Sequence, residues 1–440
     1  MTIADEIQAL SADRTAIQNA ILAKGGTVTS ADGFDDFANA IATIPSGEAV
    51  AEQKDVNFID YDGTIVHSYT ASEFAALSAL PANPSHSGLT AQGWNWSLAD
   101  AKEYVADCGK LWIGQTYVTD DGKTRIYIHL DEGRLSPILG VCPNGTVDVD
   151  WGDNTAHDTL TGTSLLTVKW TSAHNYTASG NYVITLSVNG SMQFAGGNAE
   201  NTGSYLLRFS SGSDNRNIVY RSAIQKIEIG SNVLLDTNAF AYCGNLKTIT
   251  LPFNRLNPSI KLSAFAYCYS LISIVLPSSF TTFGNNAFAN CYSLNFVSLP
   301  KTITSLANYI FDNCYSLTCI TLPPDLSSTG TYAFRYCYSL IYATIPSGLT
   351  RISNYCFQYC YSLASAVISS NITDIGSYAF STCRGLGFIR FMSSTPPDVS
   401  SNAFTNIPTD CIIYVPSGSL SAYTSAANYP NSSTYTYVEY

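Results

Sequence analysis

Residues 287–300 read Ala287-Phe288-Ala289-Asn290-Cys291-Tyr292-Ser293-Leu294-Asn295-Phe296-Val297-Ser298-Leu299-Pro300, and the same skeleton returns along the chain. Cys243, Cys268, Cys291, Cys314, Cys337, Cys360 and Cys383 are separated by 25 residues once and then by 23 five times. Three residues before each stands Phe240, Phe265, Phe288, Phe311, Phe334, Phe357 or Phe380, and three after it Leu246, Leu271, Leu294, Leu317, Leu340, Leu363 or Leu386. Eight residues after each comes Leu251, Leu276, Leu299, Leu322, Ile345, Ile368 or Phe391, with a proline directly behind it in five coils. Proline can donate no ladder hydrogen bond, so it should end a short strand there.

A single coil of this length cannot enclose its own apolar side chains, whereas stacked coils bury them in continuous columns. The pattern therefore predicts a C-terminal solenoid over residues 213–416. Its unit closely resembles the BspA-type leucine-rich repeat, and the resemblance implies a binding module and not an enzyme. Ile412 to Leu420 with Tyr423 looks like the strand and turn that close such arrays, so residues 417–440 are expected to form a cap or tail.

Two tyrosine series ride on the same grid. Tyr269, Tyr292, Tyr315, Tyr338 and Tyr361 follow the repeat cysteine directly, and Tyr309, Tyr332, Tyr355 and Tyr378 stand five residues before it. Stacking turns them into two vertical stripes, with the position after the cysteine expected to face outward. One account makes the stripes a stability device; the other makes Tyr, Ser and Asn a paratope-like surface of rigid amphipathic contacts that binds a receptor. Both stay open from sequence, and Tyr292, Tyr315 and Tyr338 mark the centre of the candidate site. Adjacent coils about 4.8 Å apart would permit disulfides, but the cysteine column reads better as small buried free thiols.

Outward from the repeat, the N-terminal part divides into three. Residues 1–47 show helical spacing at Ile3, Ile7, Leu10, Ile17 and Ile21, with a second short helix expected over Gly33 to Ile44. Residues 48–131 alternate strand-like runs with Asp62-Gly63 and Asp121-Gly122 turns, and place short helices at Ser72–Leu80 and Leu98–Ala106, which makes a small α+β domain. Residues 132–212, with runs at Thr146–Trp151 and Tyr182–Val188, predict a helix-free β-sandwich. Val147-Asp148-Val149-Asp150-Trp151-Gly152-Asp153 with His174-Asn175-Tyr176 is similar to the polycystic kidney disease type of immunoglobulin-like module, which implies a spacer. Phe58 to Thr64, Gln92 to Trp96 and Thr119 to Ile128 look like a domain of phage tail-associated proteins, as does the N-terminal helix pair.

Only 12% of the 440 residues are charged, about half the usual share, so the exposed surface must be largely Ser, Thr, Asn and Tyr. A net charge of −12 argues against nucleic acid. The N-terminal residues lack the basic-then-apolar layout of a secretory signal, and no apolar run is long enough for membrane insertion. Asp60-Tyr61-Asp62-Gly63-Thr64 matches the motif of haloacid dehalogenase-like phosphatases, with Asp153 and Asp158 mimicking a later metal motif. That chemistry needs a parallel sheet of βα units, and the first Asp-Gly is better explained as a hairpin turn. His67, His86, His129, His157 and His174 stand singly, without the spacing of a metal site. No catalytic residue, metal or cofactor is expected.

The expectation is a virion-associated adhesion protein, assembled in the host cytoplasm. Its N-terminal domains would dock to a tail or baseplate protein, and its solenoid would bind a host-surface glycan or protein. The alternative is a bacterial surface adhesin of the BspA type; homo-oligomers are left open.

Overall fold

The computed structural model describes residues 55–132, 135–194, 207–209, 223–253 and 259–440, so the helices expected within residues 1–47 lie outside the described residues. Met1–Lys54 is one unit of the chain and Asp55–Tyr440 a second, compact one. The second is mostly β, with few helices, β domains first and a solenoid behind them, as the sequence predicts.

The first layer starts with β1 (Val56–Ile59) and β2 (Ile65–Tyr69), an antiparallel hairpin closed by the Asp60–Thr64 turn. α1 (Ala71–Ala75) follows behind a capping box in which Thr70 and Glu73 satisfy each other's backbone N–H groups. It is shorter than the expected helix over 72–80, and Pro81 biases the residue before it away from helical backbone. β3 (Leu89–Trp94), α2 (Leu98–Cys108, capped by Ser97 and stopped at Gly109) and β4 (Leu111–Thr119) complete a sheet of order β2-β1-β4-β3. Phe58, Phe74, Trp96, Tyr104 and Ile113 form its core.

Beyond the Asp121-Gly122 turn come β5 (Thr124–Leu130), β6 (Pro137–Asp150), β7 (Asp158–Thr163), β8 (Lys169–Trp170) and β9 (Gly180–Phe194). β10 (Leu207–Phe209), β11 (Ile224–Glu228), β12 (Val233–Leu235) and β13 (Thr248–Thr250) extend the same system. The main path is β10-β6-β9-β5-β11-β13. β5 pairs with β9 on one side and β11 on the other, so hydrogen bonding runs across both expected borders, 131/132 and 212/213. The Asp121-Gly122 turn thus carries the chain from one sheet into the next. Phe194, at the end of β9, packs against Phe240 with ring centroids 5.3 Å apart and the rings tilted by 56°. This sheet is therefore the N-terminal lid of the solenoid, whose end coils would otherwise expose their apolar columns.

In the solenoid the strands pair in parallel at a 23-residue offset: Ser273 with Phe296, Phe296 with Cys319, Cys319 with Tyr342, and Ser365 with Phe388. Coils followed by proline have three-residue strands, such as Ser273–Val275 and Cys319–Thr321, whereas Ser365–Ile368 and Phe388–Phe391, which lack it, have four. The reason is one donor: Met392 N–H donates to the Ile368 carbonyl at 2.9 Å, and a proline at that position has no N–H to give. Phe265, Phe288, Phe311, Phe334, Phe357, Phe380 and Phe404 stack in one buried column at 5.2–5.6 Å.

At the C-terminal end, the short helix α3 (Leu420–Ser425) brings Tyr423 into the core. Thr436–Glu439, in the segment hardest to place from sequence, adds one more parallel strand beside Ile412–Val415.

Candidate functional site

The turn that carries the cysteine has an unusual backbone. N–H groups at the phenylalanine and at the residues two before and two after it donate to the next coil, as in Tyr355 to Ser377, Phe357 to Ala379 and Tyr359 to Ser381 at 2.8–3.0 Å. The outer two of these three residues have positive φ: Tyr309, Tyr332, Tyr355 and Tyr378 at 57–61°, and Tyr242, Tyr267, Tyr336 and Tyr359 at 61–66°. Left-handed backbone costs an L-residue roughly 1–2 kcal/mol, least for Asn. Most other coils use Asn at the same two positions, Asn238, Asn286 and Asn402 at the first, Asn290, Asn313 and Asn406 at the second, while Ser263 and Thr382 take one each. The fold needs the conformation; it does not need tyrosine.

Three columns result. Tyr309, Tyr332, Tyr355 and Tyr378 stack at 4.5–5.0 Å with interplanar angles of 6–13°. Tyr269, Tyr292, Tyr315, Tyr338 and Tyr361 stack at 4.7–4.9 Å. A third column, Tyr242 with Tyr267 and Tyr336 with Tyr359, lies at 4.4 and 4.7 Å; only its place directly before the repeat cysteine could have announced it. Tyr336 meets Tyr338 edge-on at 5.9 Å, so the second and third columns touch. The expectation that residues after the cysteine face outward needs correction: these rings are half-buried and Tyr292 is only 4% exposed, because each is sandwiched by its neighbours one coil away. Burial, with Tyr315 and Tyr361 alongside, pushes the Tyr338 hydroxyl well above its ordinary range.

A charged pair crosses the array beside these columns. Arg335 donates to both oxygens of Asp312 at 2.7 and 2.8 Å, and its guanidinium lies over Tyr332 at 4.4 Å and Tyr336 at 5.1 Å. Burial raises the Asp312 carboxyl above its usual value, and Arg335 only partly opposes this.

The strand side of the central coils is occupied. Trp112 packs on Phe296 at 4.9 Å, and a Cβ added to Gly114 would lie 2.4 Å from Val275. Asn95 Nδ2 donates to the Leu276 carbonyl at 3.0 Å, Trp96 Nε1 to Leu299 at 2.9 Å and the Tyr104 hydroxyl to Leu322 at 2.9 Å. These are the carbonyls that the prolines of the following coils leave without a ladder donor, so side chains from residues 95–104 replace the missing N–H groups. Beside them a groove of about 620 Å³ is lined by Asp100, Glu103, Asp325 and Lys301, with Lys301 paired to Asp100.

The remaining motifs resolve into structure. Asp60 accepts from Tyr61 N–H and faces His86 at 2.6 Å, and Asp62 accepts from Thr64 N–H, as hairpin-turn carboxylates do. Asp153 accepts from Thr155 and faces His174, and Asp158 accepts from Trp151 Nε1. The histidines are less solitary than the sequence suggests, since His86, His157 and His174 each face a carboxylate. Among the described residues no group of three or more His, Cys, Asp or Glu could hold a metal ion. All twelve cysteines are free, and column members such as Cys291 and Cys337 donate Sγ–H to Phe265 and Phe311 carbonyls at 3.2–3.3 Å.

Among curated proteins none matches the chain. Among solved structures, a leucine-rich repeat protein from Bacteroides ovatus is similar at 25% identity over 44% of this chain and 59% of its own, with a TM-score of 0.37. The chain thus spans little more than half of that relative. A leucine-rich repeat protein of T. pallidum is 24% identical over 30% of this chain and 72% of its own, TM-score 0.26. A leucine rich cell surface protein from Faecalibacterium prausnitzii is 20% identical over 58% and 95%, TM-score 0.28. Residues 212–295 and 281–410 match the BspA type leucine rich repeat region in six copies. Residues 212–410 of the solenoid are thus similar in sequence to the BspA type leucine-rich repeat region.

Proposed function

We propose that the protein is an adhesin displayed on a bacterial surface, whose solenoid binds a receptor on host or neighbouring cells through its tyrosine-bearing turn face. The observation that carries this reading is the occupancy of left-handed positions by Tyr309, Tyr332, Tyr355 and Tyr378 where Asn286 and Asn402 meet the same backbone demand. Backbone strain kept against a cheaper residue points to use. The strand side of the central coils is taken by residues 95–114, which argues for a partner on another face of the solenoid. The repeat match supports the bacterial setting over the virion; docking of the N-terminal domains to a tail or baseplate would be the corresponding proposal for a virion. In either setting β5 to β10 hold the solenoid at one end, the spacer role its immunoglobulin-like resemblance implies.

The test is saturable binding of the labelled full chain to cells, compared with a Tyr315→Ala, Tyr338→Ala double variant. Adhesion should fall while circular dichroism and thermal melting still report a folded protein. Full-strength binding by the folded double variant would leave the column of Tyr269 to Tyr361 as a structural ladder.

A further inference from the structure

We infer that the ligand of the turn face is an extended, uncharged polysaccharide lying along the solenoid axis, held by the hydroxyl comb of Tyr309, Tyr332, Tyr355 and Tyr378 beside Tyr336 and Tyr359. The inference rests on the adhesin reading and names the ligand chemistry for the same face.

The ring geometry excludes the usual uses of aromatic residues in recognition. With neighbours parallel to within 6–13° at 4.5–5.0 Å, every ring face inside the first column is covered by the next ring, and only the outer faces of Tyr309 and Tyr378 lack a tyrosine partner. A single sugar or quaternary amine seeking a ring face inside the column finds it taken. Among the described residues the cation over this column is Arg335, which is already held by Asp312. What remains for a ligand is ring edge and hydroxyl. Each hydroxyl both donates and accepts, and four successive coils carry one each.

Desolvation first, and then the neighbouring Tyr332 and Tyr378, raise the Tyr355 hydroxyl above its ordinary value. At the far end Asn402 Nδ2 donates to the Tyr378 hydroxyl at 3.1 Å, so a polar amide closes the row where the tyrosines stop. A ligand that engages one hydroxyl per coil must repeat hydroxyls at nearly the coil pitch. An extended polysaccharide does this by construction; a folded protein surface has no reason to. Single hydroxyl contacts are weak, but contacts linked along one chain add through effective concentration.

Charge selects further. Arg335 is neutralised by Asp312, and nearby Arg351 by Asp374. With a net charge of −12, a uronic or sulfated polymer would be repelled and a neutral one would not.

The test uses the full chain and the variant Tyr332→Asn, Tyr355→Asn, chosen because Asn already occupies this position in other coils and accepts its φ. The soluble probes are mixed-linkage β-glucan, mannan and hyaluronan in affinity electrophoresis. Cells that bind the protein are probed after periodate, which cleaves vicinal diols, or after protease. We expect retardation by at least one neutral polymer and not by hyaluronan, tighter binding to longer oligosaccharides, and a loss of at least about tenfold in the variant. Cell binding should vanish after periodate and survive protease. Binding that survives periodate, binding lost to protease, or equal affinity in the folded variant would each overturn the polysaccharide. Failure of the full chain to bind any cell would instead sink the adhesin reading.

Discussion

Arg335 shows how one residue ties chemistry to shape in this surface. It bridges two tyrosine columns and neutralises Asp312, whose carboxyl is raised by burial. Arg335→Ala should strand that carboxylate and destabilise the protein by about 1–3 kcal/mol at neutral pH. The pH dependence has a definite sign. A carboxyl whose folded pKa lies above its unfolded value takes up its proton more readily when folded, so the penalty is full above the raised pKa and shrinks as pH falls through it. Urea midpoints of variant and parent, measured from neutral pH down into the carboxylate range, should converge. A constant gap would mean that Asp312 is not the buried charge responsible. The tyrosine columns were legible at this scale because a fixed period places identical residues one above another. Their left-handed backbone was not, since nothing in the series Asn286, Tyr309, Tyr332 says which residue fits the conformation and which resists it.

A coil closes itself with an inward Cys, Leu and Phe and closes onto its neighbour with backbone hydrogen bonds. Leu317, fully buried in a central coil, tests the first: Leu317→Ala should cost about 2–5 kcal/mol, read as a lowered urea midpoint. Tyr104→Phe tests a different link, because it keeps the ring and removes only the donor to the Leu322 carbonyl. About 1–3 kcal/mol should be lost there if that carbonyl is left without any donor. Equal stability would mean that water reaches the carbonyl and that the replacement of proline's missing N–H is incidental. The short strands were foreseeable from the prolines of this element. The donors that repair them were not, for Asn95 and Tyr104 sit roughly two hundred residues away in sequence.

Over the whole molecule, residues 56–119 behave as part of the solenoid's fabric and not as a tethered domain. Ile59, Trp112, Val275 and Cys319 make one buried cluster, with Phe296 and Tyr342 packed against it. A chain beginning at residue 120 should therefore expose that strand side, melt below the full chain and self-associate, as an uncovered apolar face does. Sedimentation of the shortened chain checks this. A stable monomer with unchanged melting would show that the cover contributes little.

What the sequence determined by itself is the periodic half: the 23-residue coil, its inward columns of Phe, Cys and Leu, its strand-ending prolines and its tyrosine stripes. All of these follow from which residues recur, because stacking copies each local choice upward. What only the tertiary structure decided is which side of the solenoid is already used. The sheet of β1 to β4 lies over the strand side, and β5 joins the lid sheet across an expected border. Those pairings join residues far apart in the chain, where no periodicity links them. They are selected by orphan carbonyls and apolar rows that exist only once the coils have stacked.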